Sequence, residues 1–163
     1  MFESVIAKYI ATIIISMIPV IELRGAIPIA VGVFKLSYVE AFLLGCIGNI
    51  LPIYFIVKFI GPVFDWLSKF KIFKKIIDWL TERTTKKIEN NEKLQNYTSL
   101  GLFLFVAIPL PGTGAWTGSL IANFLKLPIK KAFPVIAAGV LGAGLIMLTA
   151  TAIVAGGIGI LFG

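Results

Sequence analysis

The stretch "IPVIELRGAIP", residues 18–28, places an acid, Glu22, and a base, Arg24, between two prolines, Pro19 and Pro28. It sits inside an apolar run that extends from residue 4 to residue 36. Proline and glycine interrupt a helix, and an interruption in hydrocarbon leaves backbone amides and carbonyls that lipid cannot satisfy. Such breaks survive where protein or a water-filled cavity surrounds them, and ionisable side chains at that depth mark a substrate or ion path. The stretch therefore predicts the lip of a polar cavity within a membrane protein.

Composition supports that class. Of 163 residues, 58% are hydrophobic, and the mean hydropathy is +0.98, more apolar surface than a soluble domain of this size requires. The N-terminus lacks the charge pattern and cleavage site of a signal peptide, so residue 1 onward is read as mature protein. The single cysteine, Cys46, excludes an intramolecular disulfide. With no histidine, neither a metal site nor a histidine proton relay is expected, and no cofactor is expected. No phosphate-binding loop, dinucleotide fingerprint or nucleophile elbow is present, so the chain does not read as an enzyme or an ATP-driven pump. The net charge of +7 does not point to nucleic acid, because the bases gather between Lys69 and Lys93, mixed with acids and flanked by apolar segments.

Working outward, the chain divides into three parts: 1–64, 65–97 and 98–163. The first holds the interrupted block 4–36 and an uninterrupted apolar run, 38–64. The last repeats that order, with 98–125 interrupted by "IPLPGTGAW" (108–116) and 129–162 apolar and rich in Ala and Gly. Ile18-Pro19 matches Ile108-Pro109, "KLSYVEAF" (35–42) matches "KLPIKKAF" (126–133), and Gly48 falls opposite Gly139. The shared order predicts an internal repeat.

From the break, placed at Arg24-Gly25, to Lys35 is about ten residues, and a helix of that length rises only about 15 Å, half a bilayer core. Each interrupted block is therefore expected to be a re-entrant helical hairpin, followed by a transmembrane helix. One crossing per repeat inverts the second repeat relative to the first. The fold class is all-α integral membrane: two inverted repeats joined by an amphipathic helix with a stripe at Trp66, Phe70, Phe73, Ile77 and Leu80. Lys69–Lys93 together with Lys126, Lys130 and Lys131 set the face of segment 65–97 as cytoplasmic in the cell membrane.

Candidate substrate-binding residues are Glu22, Arg24 and Gly25 at the first break, and Gly112, Thr113, Gly114 and Thr117 at the second. Arg24 offers a forked donor to a phosphate or carboxylate, and Glu22 is a candidate proton-coupling group. A bare Glu22–Arg24 pair that fixes the hairpin is the structural alternative. Asn49 and Asn123 are read either as lining residues or as interhelical hydrogen-bonding residues.

"IELRGAIPIAVG" followed by "PLPGTGAWTGSLIA" resembles the putative small multidrug export protein family over nearly the whole chain. The paired hairpins also resemble, more distantly, the DedA (VTT-domain) superfamily. That resemblance implies lipid scrambling or recycling of undecaprenyl phosphate, with Glu22 and Arg24 as the carried-over residues, although the second hairpin of this chain has no arginine. The favoured expectation is a transporter of an amphipathic anion, a lipid phosphate such as a polyprenyl phosphate, coupled to protons. The rivals are an exporter of cationic drugs with Glu22 as counter-ion, and a membrane scaffold that uses the helix at 65–80. The partner is a membrane lipid or an amphipathic small molecule, with a homodimer able to thicken the walls of the cavity.

Overall fold

A computed structural model describes residues 2–67, 69 and 92–162, and among these every regular element is helical. The first helix, α1 (Phe2–Met17), stops where Pro19 removes a donor and disfavours helical backbone at Ile18. The second, α2 (Glu22–Gly32), begins after four residues and runs back along it. At the base of this hairpin the Lys8 ammonium donates to the Phe34 carbonyl at 2.8 Å, which brings the start of α1 to the end of α2. The break falls at 18–21, earlier than the sequence expectation of Arg24-Gly25. Gly25 is accommodated within the first turn of α2, where its N–H donates to the Ile21 carbonyl at 3.0 Å. The chain reverses instead at Glu22, whose φ of 51° is unusual for a residue with a side chain.

The long helix α3 (Tyr38–Leu67) starts on a reciprocal cap. The Ser37 hydroxyl accepts from the Glu40 N–H at 3.3 Å, and the Glu40 carboxylate accepts from the Ser37 N–H at 2.8 Å, satisfying two donors at the helix start. The second half follows the same order. Helix α4 (Glu92–Ala107) leads into an irregular turn, then comes the short α5 (Ala115–Phe124) and the long α6 (Ile129–Phe162). Helix α4 thus starts six residues before the apolar block read from the sequence. The stripe expected over 65–80 lies, Trp66 apart, outside the described residues.

The two halves put matching residues in matching roles. Lys35 and Lys126 both adopt left-handed backbone, with φ of 57° and 50°, to end α2 and α5. Each is followed by a buried leucine, Leu36 or Leu127, and then by a fully buried alanine, Ala41 or Ala132. A Cβ on Gly48 would meet the Ile13 carbonyl oxygen at 2.5 Å and Ser16 Cβ at 2.9 Å. One on Gly139 would meet Val106 Cβ at 2.7 Å and the Phe103 carbonyl oxygen at 3.1 Å. In each half, then, a glycine of the long helix lets the first arm of the hairpin approach closely.

The short helices form the centre. Leu23, Ala26, Ile27 and Ala30 of α2, and Ala115 and Ala122 of α5, are essentially without exposure. All but Ala26 belong to one cluster with Ile53 of α3, Val106 of α4, and Ile136 and Val140 of α6. The outer faces are apolar as well. Ile6, Ile10 and Ile14 line α1 at four-residue spacing; Leu43, Ile47, Leu51, Phe55 and Phe59 do so along α3. Residues 38–63 and 129–156, with mean hydropathies of 2.0 and 2.1, are long and apolar enough to cross a membrane. Water would not tolerate apolar stripes of this length on the outside of a fold, whereas hydrocarbon does.

Candidate functional site

The two breaks meet. Glu22, at the head of α2, points its carboxylate at the N-terminus of α5 and accepts a hydrogen bond from the Trp116 N–H at 3.2 Å and another from the Ala115 N–H. The first amides of a helix have no partners within it and form its positive end, so a carboxylate there is stabilised by both effects. Gly114 makes this approach possible. Its φ is 138°, and a Cβ there would stand 2.3 Å from Glu22 Oε2.

Arg24, two residues on, takes the other side of the same turn. Its Nη1 donates to the carbonyls of Leu110 (2.7 Å) and Thr113 (2.6 Å), and its Nη2 to the Thr113 hydroxyl (2.8 Å) and, more weakly, to the Ile108 carbonyl (3.5 Å). These carbonyls follow the C-terminus of α4, the negative end of that helix. The Thr113 hydroxyl in turn donates to the Ile108 carbonyl at 2.8 Å and accepts from the Leu110 N–H at 3.1 Å, so the turn 108–113 is folded around one side chain. An acid and a base stand close together in the first break because the second presents them with two helix ends of opposite sign. The positive helix end at this site is that of α5, and the anion seated on it is the protein's own Glu22.

A cavity of about 680 Å3 opens between the breaks. Its polar lining is Glu22, Arg24, Thr113 and Thr117; its walls include Pro19, Val20, Leu110 and Leu120. Two donors on its lining residues have no acceptor among the described residues: Arg24 Nε and Trp116 Nε1 are both buried at the atom and unpartnered. Trp116 was not singled out by the sequence reading. The signal available was an indole one residue after the first residue of a helix that follows a Gly-Thr-Gly turn.

Of the remaining sequence candidates, Gly112 lines the cavity with φ 81°, while Gly25 lies within α2. The two asparagines part company. Asn49 is 1% exposed and hydrogen-bonds the Glu22 carboxylate through its side chain. Asn123 donates to the carbonyls of Val57 and Ser119, both at 3.3 Å, and ties α5 to α3 away from the cavity. Among the described residues no group of acidic, histidine or cysteine side chains has the arrangement of a metal site.

Two helix breaks that meet at a mostly apolar cavity with a few polar side chains, inside helices whose outer faces are apolar, fit a membrane protein of the transporter class. Residues 22–146 match the family described as putative small multi-drug export protein, and the chain belongs to that family. No curated protein and no solved structure matches it.

Proposed function

We propose that this protein carries an amphipathic anion, a lipid phosphate such as a polyprenyl phosphate, across the membrane through the cavity between the breaks. The observation that supports this reading is the pair of buried donors without acceptors among the described residues, Arg24 Nε and Trp116 Nε1, on two side chains that line one cavity. Buried donors are normally satisfied, and an open guanidinium N–H with an open indole N–H calls for oxygen acceptors such as those of a phosphate. The apolar remainder of the lining suits an acyl or prenyl chain. In this cycle a proton on Glu22 neutralises the carboxylate and loosens its hold on the α5 amides. The positive end of α5 and Arg24 are then left to an incoming anion.

The architecture proposed for this cycle is a pair of inverted repeats, each a re-entrant hairpin and a crossing helix, with segment 65–97 cytoplasmic. The equivalent roles of Gly48 and Gly139, and of Lys35 and Lys126, support it. The test is flipping of a labelled polyprenyl phosphate in liposomes. Wild-type protein is expected to flip it, and Arg24→Gln, still folded, is expected not to. A second reading, export of cationic drugs, is favoured by Glu22 and Trp116 facing one cavity, since a carboxylate and an indole together suit a cation. Binding of a cationic dye that survives Arg24→Gln but not Glu22→Gln would replace the first reading with the second.

A further inference from the structure

Asn49 occupies the middle of α3, directly after the glycine against which α1 packs. Its side chain is buried and bonded to the Glu22 carboxylate, yet its Oδ1 has no hydrogen-bond partner among the described residues. A carboxylate only accepts, so while Glu22 is ionised the Asn49 amide serves it as donor and the amide oxygen is left idle. A carboxylic acid has one O–H to donate. We propose that Asn49 Oδ1 is the acceptor for the proton that Glu22 binds, and that rotation of the Asn49 amide accompanies each protonation. The inference rests on the reading of Glu22 as the proton-coupling group.

The consequence is mechanical. Ionised Glu22 is shared between the α5 amides and the Asn49 amide. Protonated Glu22 donates to Asn49 and so is drawn toward α3, leaving the Ala115 and Trp116 N–H groups to another acceptor. Asn49 is thus a positioning residue that links the charge of Glu22 to the freedom of the second break. The site holds one acid. The charged group facing Glu22 is Arg24 on its own helix. Lys8 of α1 and Glu40 of α3 are engaged at the far end of the hairpin by the Phe34 carbonyl and by Ser37 and Tyr9, and Lys58 lies over the Tyr54 and Phe59 rings. Helix α5 has no charged residue, and the charges of α6, Lys130 and Lys131, fall in its first turn.

The experiment is infrared difference spectroscopy, acid minus neutral, on the full chain in liposomes, with asparagine carrying 13C in its side-chain carbonyl. The expected spectrum has a protonated-carboxyl band that is absent in Glu22→Gln, and an isotope-sensitive asparagine band that titrates with the same midpoint. Asn49→Leu is expected to remove the asparagine band and move the carboxyl band to higher wavenumber, as its hydrogen bond is lost. A carboxyl band that Asn49→Leu leaves unmoved, an asparagine band that does not follow the carboxyl, or no band assignable to Glu22 would each overturn the inference. The labelled wild-type protein gives the asparagine result without any substitution. Polyprenyl phosphate flipping is scored separately on the same liposomes. Flipping without the paired bands overturns the Asn49 role alone; paired bands without flipping overturn the choice of substrate alone.

Discussion

Glu22 and Arg24, two residues apart on α2, do not serve one target: the carboxylate caps the N-terminus of α5 and the guanidinium gathers the carbonyls that follow α4. Both ends of the second break are thus held by one turn of the first hairpin. The Ile108, Leu110 and Thr113 carbonyls all take hydrogen bonds from that one guanidinium. Arg24→Gln is expected to lower stability by about 2–3 kcal/mol, the scale for losing hydrogen bonds to a charged group, read as an earlier thermal unfolding in detergent. Arg24→Lys should recover less than half of that, because one ammonium cannot span four acceptors set in a fork.

Glu22→Gln tests the other end. The amide keeps one acceptor oxygen but loses the negative charge that the helix end favours, and its NH2 group faces donors. A loss of about 1–2 kcal/mol is expected, near the upper range for a charge at a partly buried helix terminus. If the Glu22 carboxylate were idle, its neutral isostere would unfold at the wild-type temperature.

The two glycines of the second turn should answer differently to the same change. Gly112→Ala meets no atom within 4 Å, so its cost is the left-handed backbone alone, about 1–2 kcal/mol. Gly114→Ala adds a Cβ 2.3 Å from Glu22 Oε2 and must push the carboxylate off α5. Its cost should exceed that of Gly112→Ala by at least the value of the cap, since φ 138° is also a harsher backbone for alanine, and Glu22→Gln in the same chain should then add little. Equal thermal shifts for the two alanine variants would separate Gly114 from the carboxylate.

How much of this was legible in the sequence depends on the residue. The breaks, the long helices and the Lys-Leu matches at 35 and 126 could be read because proline, glycine and uninterrupted apolar runs act locally. Most partners of Glu22 and Arg24 could not, because they are backbone groups some 84 to 94 positions away with no side-chain signature; the side-chain partners, Thr113 and Asn49, stood out as polar residues but not as partners of these two. Asn49 and Asn123 looked alike in sequence; only the packing sets one against a carboxylate and the other against the Val57 carbonyl. The true start of α2 was hidden for a related reason. Gly25 looked like the natural breaking point, but the positive φ falls on Glu22, whose side chain is held by groups distant in sequence.

The glycines of the long helices make a matched set. Gly48→Ala and Gly139→Ala each force a Cβ within 3 Å of the neighbouring arm, and both should destabilise by about 1–3 kcal/mol, as overpacking does. Gly101→Ala, on α4 with nothing within 4 Å, should instead stabilise by up to about 1 kcal/mol through helix propensity. Thermal unfolding of the three variants gives the signs. A tolerated Gly139→Ala beside a damaging Gly48→Ala would show that the halves are packed differently.

The proposed inversion makes a prediction about sidedness. Lys35 and Lys126 end α2 and α5 with the same backbone turn, and in inverted repeats those turns face opposite sides of the membrane. Cys46 is 3% exposed and is the chain's only cysteine, so Cys46→Ser gives a background for single-cysteine labelling. In intact cells, Lys35→Cys should react with a membrane-impermeant thiol reagent and Lys126→Cys should not. Inside-out vesicles should reverse the pattern. The basic run Lys69–Lys93 gives the direction, since positive loops stay on the cytoplasmic side and Lys126, Lys130 and Lys131 are expected to share it. Labelling of both positions from the same side would mean two parallel hairpins. The acid and base of α2 would then reach the second break from its own side of the membrane, and alternating access between the repeats would lose its geometric basis.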